Sequence, residues 1–504
     1  MVNGKTSFGG LEWRVNVPDG TSQVLVPESG ALQRICRGLQ GLILGFMLHI
    51  WNFLEKAWNL AVSEPKKVIH CVKVGMALSF VSLFYYMRPL YEGVGSNAMW
   101  AVMTVVVVFE YTVGATLCKC VNRATGTFLA GSLGIGVHWV ASQSGEKYEP
   151  VILQLSVFLF AAAATFSRFI PSVKARFDYG AMIFILTFSL VSVSGYRVDK
   201  LFELAHYRLS TIAIGTSICI TITMLLCPAW AGVELHSLII RNLEKLADSL
   251  DGCIAEYFKD DRIVDVIEED KGKKLQGYKC VLNSKATEES MANFARWEPA
   301  HGHFNFGHPW KHYLKIGASV RSCAYCIEAL SSCINLESQA PEHLKKHLKE
   351  VCMRLSSYSS NVLKDLAVTL KTMTISSDIC LLVEDMNLAA KDLQNALRTF
   401  PNQLNIPSPP LETSASEYTK TEQLTKSSVA LPLREVLSVA TMASLLIEIT
   451  RRIEGIVEAV EELAASAEFK KVDDEKSNQI NTSTDKPTMT EKQDDESMKT
   501  LQMV

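Results

Sequence analysis

The stretch VGATLCKCVNRATG, residues 113–126, lies between two segments that are long and apolar enough to cross a bilayer. It carries Lys119 and Arg123, which an α-helix would place one turn apart on one face. Charged side chains at membrane depth are rare and usually face a bundle interior or a watery cavity. The pair therefore indicates a place where an anion passes. The alternative is a cytosolic loop that follows the positive-inside bias, and spacing alone leaves both interpretations open.

The composition of the whole chain favours one membrane half and one soluble half. A length of 504 residues favours two domains, and a hydrophobic share of 48% is high for a wholly soluble protein. The 50 basic and 53 acidic residues nearly balance, which gives no reason to expect a nucleic-acid partner. Thirteen cysteines follow no regular pattern and indicate reduced, packed thiols. Residues 1–38 lack the apolar core of a cleavable signal peptide.

Six segments resemble membrane-spanning helices, each of which needs roughly 20 mostly apolar residues. They are 68–87, 93–112, 124–142, 150–167, 179–196 and 210–232. The first contains Lys73 and the second Glu110, whereas the last four contain no Asp, Glu, Lys or Arg. In the third, Gly126, Ala130 and Gly134 recur at four-residue spacing. Small residues at this spacing favour close helix packing, either within the bundle or at a subunit interface.

The loops between these segments predict the orientation of the chain. Basic residues are more frequent on the side that holds Lys66, Lys67, Lys174 and Arg176, so both termini should be cytosolic. Residues 1–67 then form a cytosolic N-terminal segment. Within it, the apolar run 41–54 is too short to span and predicts an interfacial helix.

The pattern changes after Pro228. Apolar residues recur every three or four positions from 239 to 257, and again near 311–335, 343–371, 378–399 and 431–468. We therefore expect an all-α protein, with a six-helix membrane domain over 68–233 and a cytosolic helical domain over 234–400. A C-terminal helix of that domain lies over 429–469. The polar segments 401–428 and 470–504 predict a disordered loop and a disordered tail.

The remaining motifs give little reason to expect metal or catalytic chemistry. Cys323 and Cys326 form a CxxC in a helical pattern without a second pair, and we interpret them as structural thiols. Four histidines in a Gly/Pro-rich turn lack an ordered helix to fix ligand geometry: His301, His303, His308 and His312. Phosphate-binding loops and nucleophile elbows are absent from the sequence. We expect neither an enzyme nor a bound metal or cofactor.

Several charges near the predicted spans could serve transport. Glu110 is either a structural partner for a cation such as Lys73 or a proton-coupling carboxylate. Arg168, Arg197 and Arg208 lie at the ends of other spans, and Lys73 lies within the first span. We predict that Lys73, Arg168 and Arg197 line the pore together with Lys119 and Arg123. A ring of such residues selects anions in a pore.

Longer motifs resemble one protein family. The run RPLYEGVGSNAMWAVMTVVVVFEYTVGATLCKCVNRATGTFLAG (88–131) is followed by SRFIPSVKARFDYG (167–180), SGYRVD (194–199), CPAWAGVELH (227–236) and FARWEPAHG (294–302). In order and length these motifs resemble the plant aluminium-activated malate transporter family, and the short N-terminus is similar to its plasma-membrane branches rather than the vacuolar one.

The resemblance implies a homodimeric channel for malate and other anions, with six spans per subunit and a cytosolic helical domain. Lys119 and Arg123 match cations that line the family's pore, and Arg197 matches a further pore arginine. Glu298, in the motif Trp297-Glu298-Pro299, matches a glutamate implicated in activity. Family members often carry an aromatic before the Cys-Pro that ends the last span. Here Leu225 and Leu226 stand there, which makes regulation through that aromatic doubtful.

Three functions follow from the sequence and make different predictions. A passive anion channel would follow the anion gradient alone. A proton-coupled exporter of organic or aromatic acids, to which the bundle also has a distant likeness, would use Glu110 and respond to pH. A membrane-anchored helical scaffold would carry no current. We expect the plasma membrane as its location, with the vacuolar or another internal membrane as the alternative.

Overall fold

The computed structural model describes residues 14–16, 22–24, 31–87, 98–145, 147–195, 201–259, 276–334, 342–403 and 433–471. Arg197, most of the predicted loop 401–428 and most of the predicted tail 470–504 lie outside these residues. The chain divides into two compact units, Met1–Lys73 and Val74–Val504. The described residues are mainly helical, which confirms the all-α prediction at that level.

The first unit contains a short strand pair and one long helix. Strands β1 (Arg14–Asn16) and β2 (Ser22–Val24) pair antiparallel. Helix α1 (Ala31–Ser63) is 33 residues long and extends well beyond the predicted segment 41–54 at both ends. Large apolar side chains such as Phe46, Trp51 and Trp58 are exposed along it. An apolar surface of this kind is compatible with lipid contact.

Six helices cover the region of the predicted spans. They are α2 (Pro65–Tyr86), α3 (Ala98–Val108), α4 (Val113–Gln143), α5 (Glu149–Ser167), α6 (Pro171–Gly195) and α7 (Leu201–Leu225). Among the described residues, three segments are long and apolar enough to cross a membrane: Glu149–Ser167, Pro171–Val193 and His206–Leu225. Met99–Val108 is a shorter apolar helix. A bundle of six spans therefore stays a prediction.

The second and third predicted spans have different boundaries in the structure. Helix α3 ends at Val108 rather than near 112, and α4 begins at Val113 rather than at 124. The break between them is held by Thr116, whose hydroxyl accepts a hydrogen bond from the Glu110 N–H at 3.1 Å. Thr112 caps α4, because its side chain accepts a hydrogen bond from Ala115 N–H at 3.3 Å. Lys119 and Arg123 thus lie on a helix, not in a loop.

The small residues of α4 serve packing inside the chain. A Cβ atom on Gly126 would lie 2.7 Å from the Gly180 carbonyl oxygen, and one on Gly134 would lie 2.8 Å from Val191. Both neighbours belong to α6, so the backbones of α4 and α6 approach closely where side chains are missing. This favours the interpretation of the Gly126 and Gly134 spacing as packing within the bundle.

The described residues after Leu225 contain seven further helices, which form the C-terminal helical region. They are α8 (Ala231–Tyr257), α9 (Gly277–Leu282), α10 (Lys285–Ala295), α11 (Trp310–Ile334), α12 (Glu342–Thr372), α13 (Ile379–Gln403) and α14 (Leu433–Ser466). They pack around one apolar core whose members include the fully buried Leu235, Leu243, Leu250, Tyr313, Ile316, Leu363, Leu446 and Ile453. Strands β3 (Thr374–Ile375) and β4 (Lys470–Lys471) pair parallel at its edge. The described cysteines are all unbridged.

Candidate functional site

Lys119 forms an ion pair with Glu110, across the break between α3 and α4. Its ammonium group also lies 3.4 Å from the Val107 carbonyl oxygen, which is exposed by the end of α3. The Lys119 and Glu110 side chains are 29% and 37% exposed. Glu110 therefore has a cation on the following helix as its partner, where the sequence suggested Lys73. Because this carboxylate neutralises it, Lys119 contributes less positive potential than its sequence position suggests.

Arg123 lies one turn further along α4 and is 7% exposed. Its Nη1 atom donates a hydrogen bond to the Tyr179 hydroxyl on α6 at 3.1 Å. The buried Nε atom has no hydrogen-bond partner among the described residues. Among the described residues, Arg123 also forms no ion pair with a carboxylate. A buried guanidinium with unused donors is a strong attractor for an anion.

Arg208 is the cation that the sequence interpretation undervalued. The sequence predicts it just outside the last span, which was expected to begin at 210, but the structure places it inside α7, where it is 8% exposed. Its guanidinium lies over the Trp100 ring of α3 at 4.4 Å, and its Nε atom is buried without a hydrogen-bond partner among the described residues. Thr127, one helical turn after Arg123 on α4, lines one cavity together with Arg208. Two like charges are thus held together in an apolar bundle.

A small cavity borders Arg208. It has a volume of about 200 Å³ and lies between α4, α6 and α7. Thr127, Ser132 and Thr187 line it beside apolar residues. The Thr127 hydroxyl is buried and makes no hydrogen bond to a described residue. Hydroxyl groups and one guanidinium around an open space are suited to accommodate an anion.

The other predicted pore cations have different surroundings. Arg168 donates from Nε to Asp178 Oδ1 at 2.7 Å and from Nη2 to Oδ2 at 3.3 Å, so a carboxylate neutralises it. Lys73 is buried and is the last residue of the first compact unit. Arg197 lies outside the described residues. The structure therefore brings Arg123 and Arg208 together, and pairs Lys119 and Arg168 with acids.

A second candidate site centres on the carboxylate of Glu298. We call it the junction and define it by the residues Gly114, Ala231, Gly232 and Glu298. The Glu298 side chain is 1% exposed. Its Oε1 atom accepts hydrogen bonds from Gly114 N–H at 3.1 Å and Ala231 N–H at 2.6 Å, and Oε2 accepts one from Gly232 N–H at 3.0 Å. The first turns of α4 and α8 thus share one carboxylate. Helix N-termini carry partial positive charge and unpaired N–H groups, which this anion satisfies.

Two glycines make the junction possible. A Cβ atom on Gly114 would lie 2.3 Å from the Phe294 carbonyl oxygen, and one on Gly232 would lie 2.4 Å from the Trp310 ring. The chain also closes the junction directly, since Val113 N–H donates to the Ala229 carbonyl oxygen at 2.8 Å. The motif Trp297-Glu298-Pro299 therefore ties the C-terminal helical region to the beginning of the helix that carries Arg123.

Histidines surround the junction on its C-terminal side. The His301 ring stacks on Trp230 with centroids 4.0 Å apart, and its Nε2 atom lies 3.8 Å from Glu298 Oε2. His236 and His308 both face the Tyr313 hydroxyl, at 2.9 and 3.4 Å. Burial lowers the pKa of His236 and of His308 to about 4, which leaves both rings neutral at pH 7. Burial raises the pKa of Glu298, and the three N–H donors and His301 oppose this shift.

The histidines of the turn between α10 and α11 pack against aromatic rings. Among the described residues there is no group of three or more His, Cys, Asp or Glu side chains that could hold a metal ion. His301 and His308 instead pack in a cluster of aromatic rings with Phe304 and Trp310. Their stacking and burial explain the pattern without a ligand role.

Comparison with known proteins assigns the sequence of the chain to one family. The family model described as aluminium activated malate transporter matches residues 58–428 and 402–464. Aluminum-activated malate transporter 10 of Arabidopsis thaliana is 58% identical over 94% of this chain and 97% of its own length. Aluminum-activated malate transporter 2 of the same plant is 45% identical over 84% of this chain and 80% of its own length. The wheat (Triticum aestivum) aluminum-activated malate transporter 1 is 40% identical over 88% of this chain and 92% of its own length. The chain belongs to the aluminium-activated malate transporter family.

Proposed function

We propose that this protein is a passive channel that conducts malate and other anions across a membrane through a positively lined pore. The observation that carries the proposal is the proximity of Arg123 and Arg208, two buried guanidiniums without a carboxylate partner among the described residues. Burying one unpaired charge in an apolar bundle costs several kcal/mol, and burying two costs more. A permeant anion between them would offset that cost. The names of the relatives support malate as one such anion.

The chemistry of a dicarboxylate suits this pair. A guanidinium offers planar, fork-like donors that bind a carboxylate through two parallel hydrogen bonds. Arg123 uses one donor on Tyr179, and the Nε atoms of both arginines have no described acceptor. The cation pair therefore replaces part of the hydration shell that the anion loses on entry. Lys119 and Arg168, each beside a carboxylate, attract anions less strongly at the mouths of the same path.

Neutralising either buried arginine tests the pore. We expect Arg123→Gln and Arg208→Gln to reduce the malate current about tenfold or more, because a charge-assisted hydrogen bond contributes roughly 1.5–3 kcal/mol. Lys371→Gln is the matched control, since this exposed lysine lies at the end of α12 in the C-terminal helical region. Current is recorded by patch clamp and divided by surface expression. Wild-type current in both arginine variants at normal expression would reject the pore assignment.

The reversal potential separates the channel from a proton-coupled exporter. A channel gives a reversal potential that follows the malate gradient and does not move with the proton gradient. An exporter that used Glu110 would shift it with pH, and Glu110→Gln would abolish that shift. The pairing of Glu110 with Lys119 favours the structural role, because this carboxylate already has a cationic partner on the neighbouring helix.

The orientation of the chain, its membrane and its oligomeric state are part of the same proposal. We place the C-terminal helical region on the cytosolic side, the protein in the plasma membrane and two copies in each assembly. The family resemblance and the excess of basic residues in one set of loops support this. The junction at Glu298 then links a cytosolic region to the first turn of the pore helix α4.

A further inference from the structure

A cavity of about 410 Å³ opens beside the junction. The turn between α10 and α11 forms most of its wall, together with the first residues of α11. Two glycines with positive φ angles, Gly302 at 56° and Gly307 at 86°, shape this turn. Reciprocal hydrogen bonds between the backbones of His301 and Phe304, both at 3.0 Å, fix it. The cavity is therefore a built feature of the fold with a volume typical of small-molecule sites.

Positive charge at this cavity is not balanced. Arg296 and Lys311 both line it, and neither side chain forms an ion pair or hydrogen bond with any described residue. Desolvation lowers the pKa of Arg296, and the nearby charge of Arg176 lowers it further. The single carboxylate in the wall is Glu298, which three backbone N–H groups already occupy. An anion that entered here would meet cations without competition.

The cavity is also aromatic and contains an unused polar atom. Phe306 is 83% exposed at its rim, while Phe304 and Trp310 form the inner wall. The His301 side chain, 9% exposed, lines the same space, and its buried Nε2 atom has no hydrogen-bond partner among the described residues. His301 Nδ1 lies 2.8 Å from the Pro299 carbonyl oxygen and donates to it, while Nε2 lies 3.8 Å from Glu298 Oε2. A planar ligand would find stacking surface and two cations.

We propose that this cavity binds a small organic anion that carries a planar ring, either an aromatic carboxylate or a nucleotide. The ring packs on Phe306 and the anionic group lies against Arg296 and Lys311. Because Glu298 forms part of the wall, an occupied cavity changes the surroundings of the carboxylate that holds the first turns of α4 and α8. The ligand thereby alters anion conduction. The regulatory step rests on the proposed function, whereas the binding step does not.

Binding is measured on the purified full-length protein in lipid nanodiscs by calorimetry and thermal unfolding. Benzoate and adenosine 5′-monophosphate are the two ring-bearing probes, and malate and inorganic phosphate are the probes without a ring. We expect saturable binding and a raised melting temperature with at least one ring-bearing probe. Binding of adenosine 5′-monophosphate alone assigns the site to nucleotides, and binding of benzoate assigns it to aromatic carboxylates. Equal binding of malate or phosphate would overturn the requirement for a ring.

Two variants and two controls locate the site. Arg296→Gln combined with Lys311→Gln should weaken binding about tenfold or more, since two charge-assisted contacts are lost. Phe306→Ala should weaken it as well, by removing the stacking surface. Lys371→Gln and Tyr325→Ala change an exposed lysine and an exposed aromatic elsewhere in the same region and should leave binding unchanged. No binding by the wild type, or equal binding by the cavity variants, would overturn the proposal.

The regulatory step has its own readout. The probe that binds is applied to the face of the membrane that carries the C-terminal helical region, and malate current is recorded. We expect a changed current in the wild type and in Lys371→Gln, and none in the Arg296→Gln, Lys311→Gln variant. Binding without any change of current would overturn the regulatory step alone. Binding by a protein that carries no malate current would instead overturn the proposed function and keep the site.

Discussion

At the residue scale, Glu298 connects the most distant parts of the chain, because its carboxylate accepts hydrogen bonds from the N-termini of two helices. We expect Glu298→Gln to lower the free energy of unfolding by roughly 2–3 kcal/mol, since a hydrogen bond to a charged acceptor is stronger than one to an amide. The variant should also reduce malate current, because the first turn of α4 loses its anionic partner. Thermal unfolding and patch clamp measure the two effects.

The control for Glu298 is another glutamate of the same region. Glu462 pairs with Lys315 at 2.5 Å, and its side chain is 40% exposed against 1% for Glu298, so Glu462→Gln should leave melting temperature and current nearly unchanged. An unaltered melting temperature in Glu298→Gln would contradict the role of the carboxylate as a shared helix cap.

The histidines beside Tyr313 predict how stability depends on pH. The folded state holds His236 and His308 with pKa values of about 4, below the ordinary 6.5. As pH falls from about 6.5 to about 4, the unfolded chain binds protons at these rings before the folded one does, and stability declines. Above pH 6.5 both rings are neutral in either state, and their contribution is fully present.

Replacing both rings should flatten this part of the stability curve. We expect His236→Gln combined with His308→Gln to show a smaller loss of melting temperature between pH 6.5 and pH 4 than the wild type. His347→Gln, at an exposed position of α12, is the control and should follow the wild-type curve. Identical curves for all three proteins would show that these rings do not titrate as their burial indicates.

At the element scale, helix α4 depends on where its glycines lie. Gly114→Ala should destabilise the protein by about 1–3 kcal/mol, because its new methyl group would meet the Phe294 carbonyl oxygen, which is backbone and moves little. Gly136→Ala in the same helix meets nothing within 4 Å and should stabilise it by up to about 1 kcal/mol through helix propensity. Melting temperature in detergent compares the two. A tolerated Gly114→Ala would mean that α4 and α10 are not held as closely as the structure shows.

The last four helices of the C-terminal region, α11 to α14, could be predicted from sequence to within a few residues. The short helices α9 and α10 were missed, α8 begins eight residues before the predicted pattern, and the beginning of α4 was also not predicted. Periodic apolar residues mark α11, α12 and α14 because each buries one face against a common core. In α4, by contrast, Lys119 and Arg123 argue against a span by hydropathy, and the helix extends through them because Glu110 and Tyr179 supply partners. One local signal did exist: Thr112 stands where a helix cap is expected, just before Val113.

The candidate site was predictable only in part, because several of its residues are far apart in the sequence and meet only in the fold. Lys119 and Arg123 were found from a pattern within four residues. Glu298 lies 184 residues from Gly114 and 67 from Ala231, so no local rule connects the carboxylate with the helix starts that it caps. Arg208 was expected at the end of a span rather than inside a helix, because α7 begins at Leu201, nine residues before the predicted span.

At the scale of the whole molecule, the number of membrane spans decides on which side of the membrane the C-terminal helical region lies. Three described segments, Glu149–Ser167, Pro171–Val193 and His206–Leu225, separate Lys147 from Cys280. An odd number of spans places these two positions on opposite sides of the membrane. With the positive-inside orientation that we propose, Lys147 should face outward and Cys280 should lie in the cytosol.

Cysteine labelling in intact cells tests this arrangement. We start from a protein in which the other exposed cysteines among the described residues, Cys71, Cys227 and Cys380, are replaced by serine. Cys36, whose side chain lies outside the described residues, is replaced as well, so that Cys280 is left for labelling. A membrane-impermeant maleimide should label Cys280 only after the cells are permeabilised. In a second protein, which carries Lys147→Cys and has Cys280 replaced by serine, labelling should not require permeabilisation. Equal accessibility of both positions before permeabilisation would mean that one of the three apolar helices does not cross. The cavity beside the junction would then open outside the cell, whereas we propose that its ligand is cytosolic.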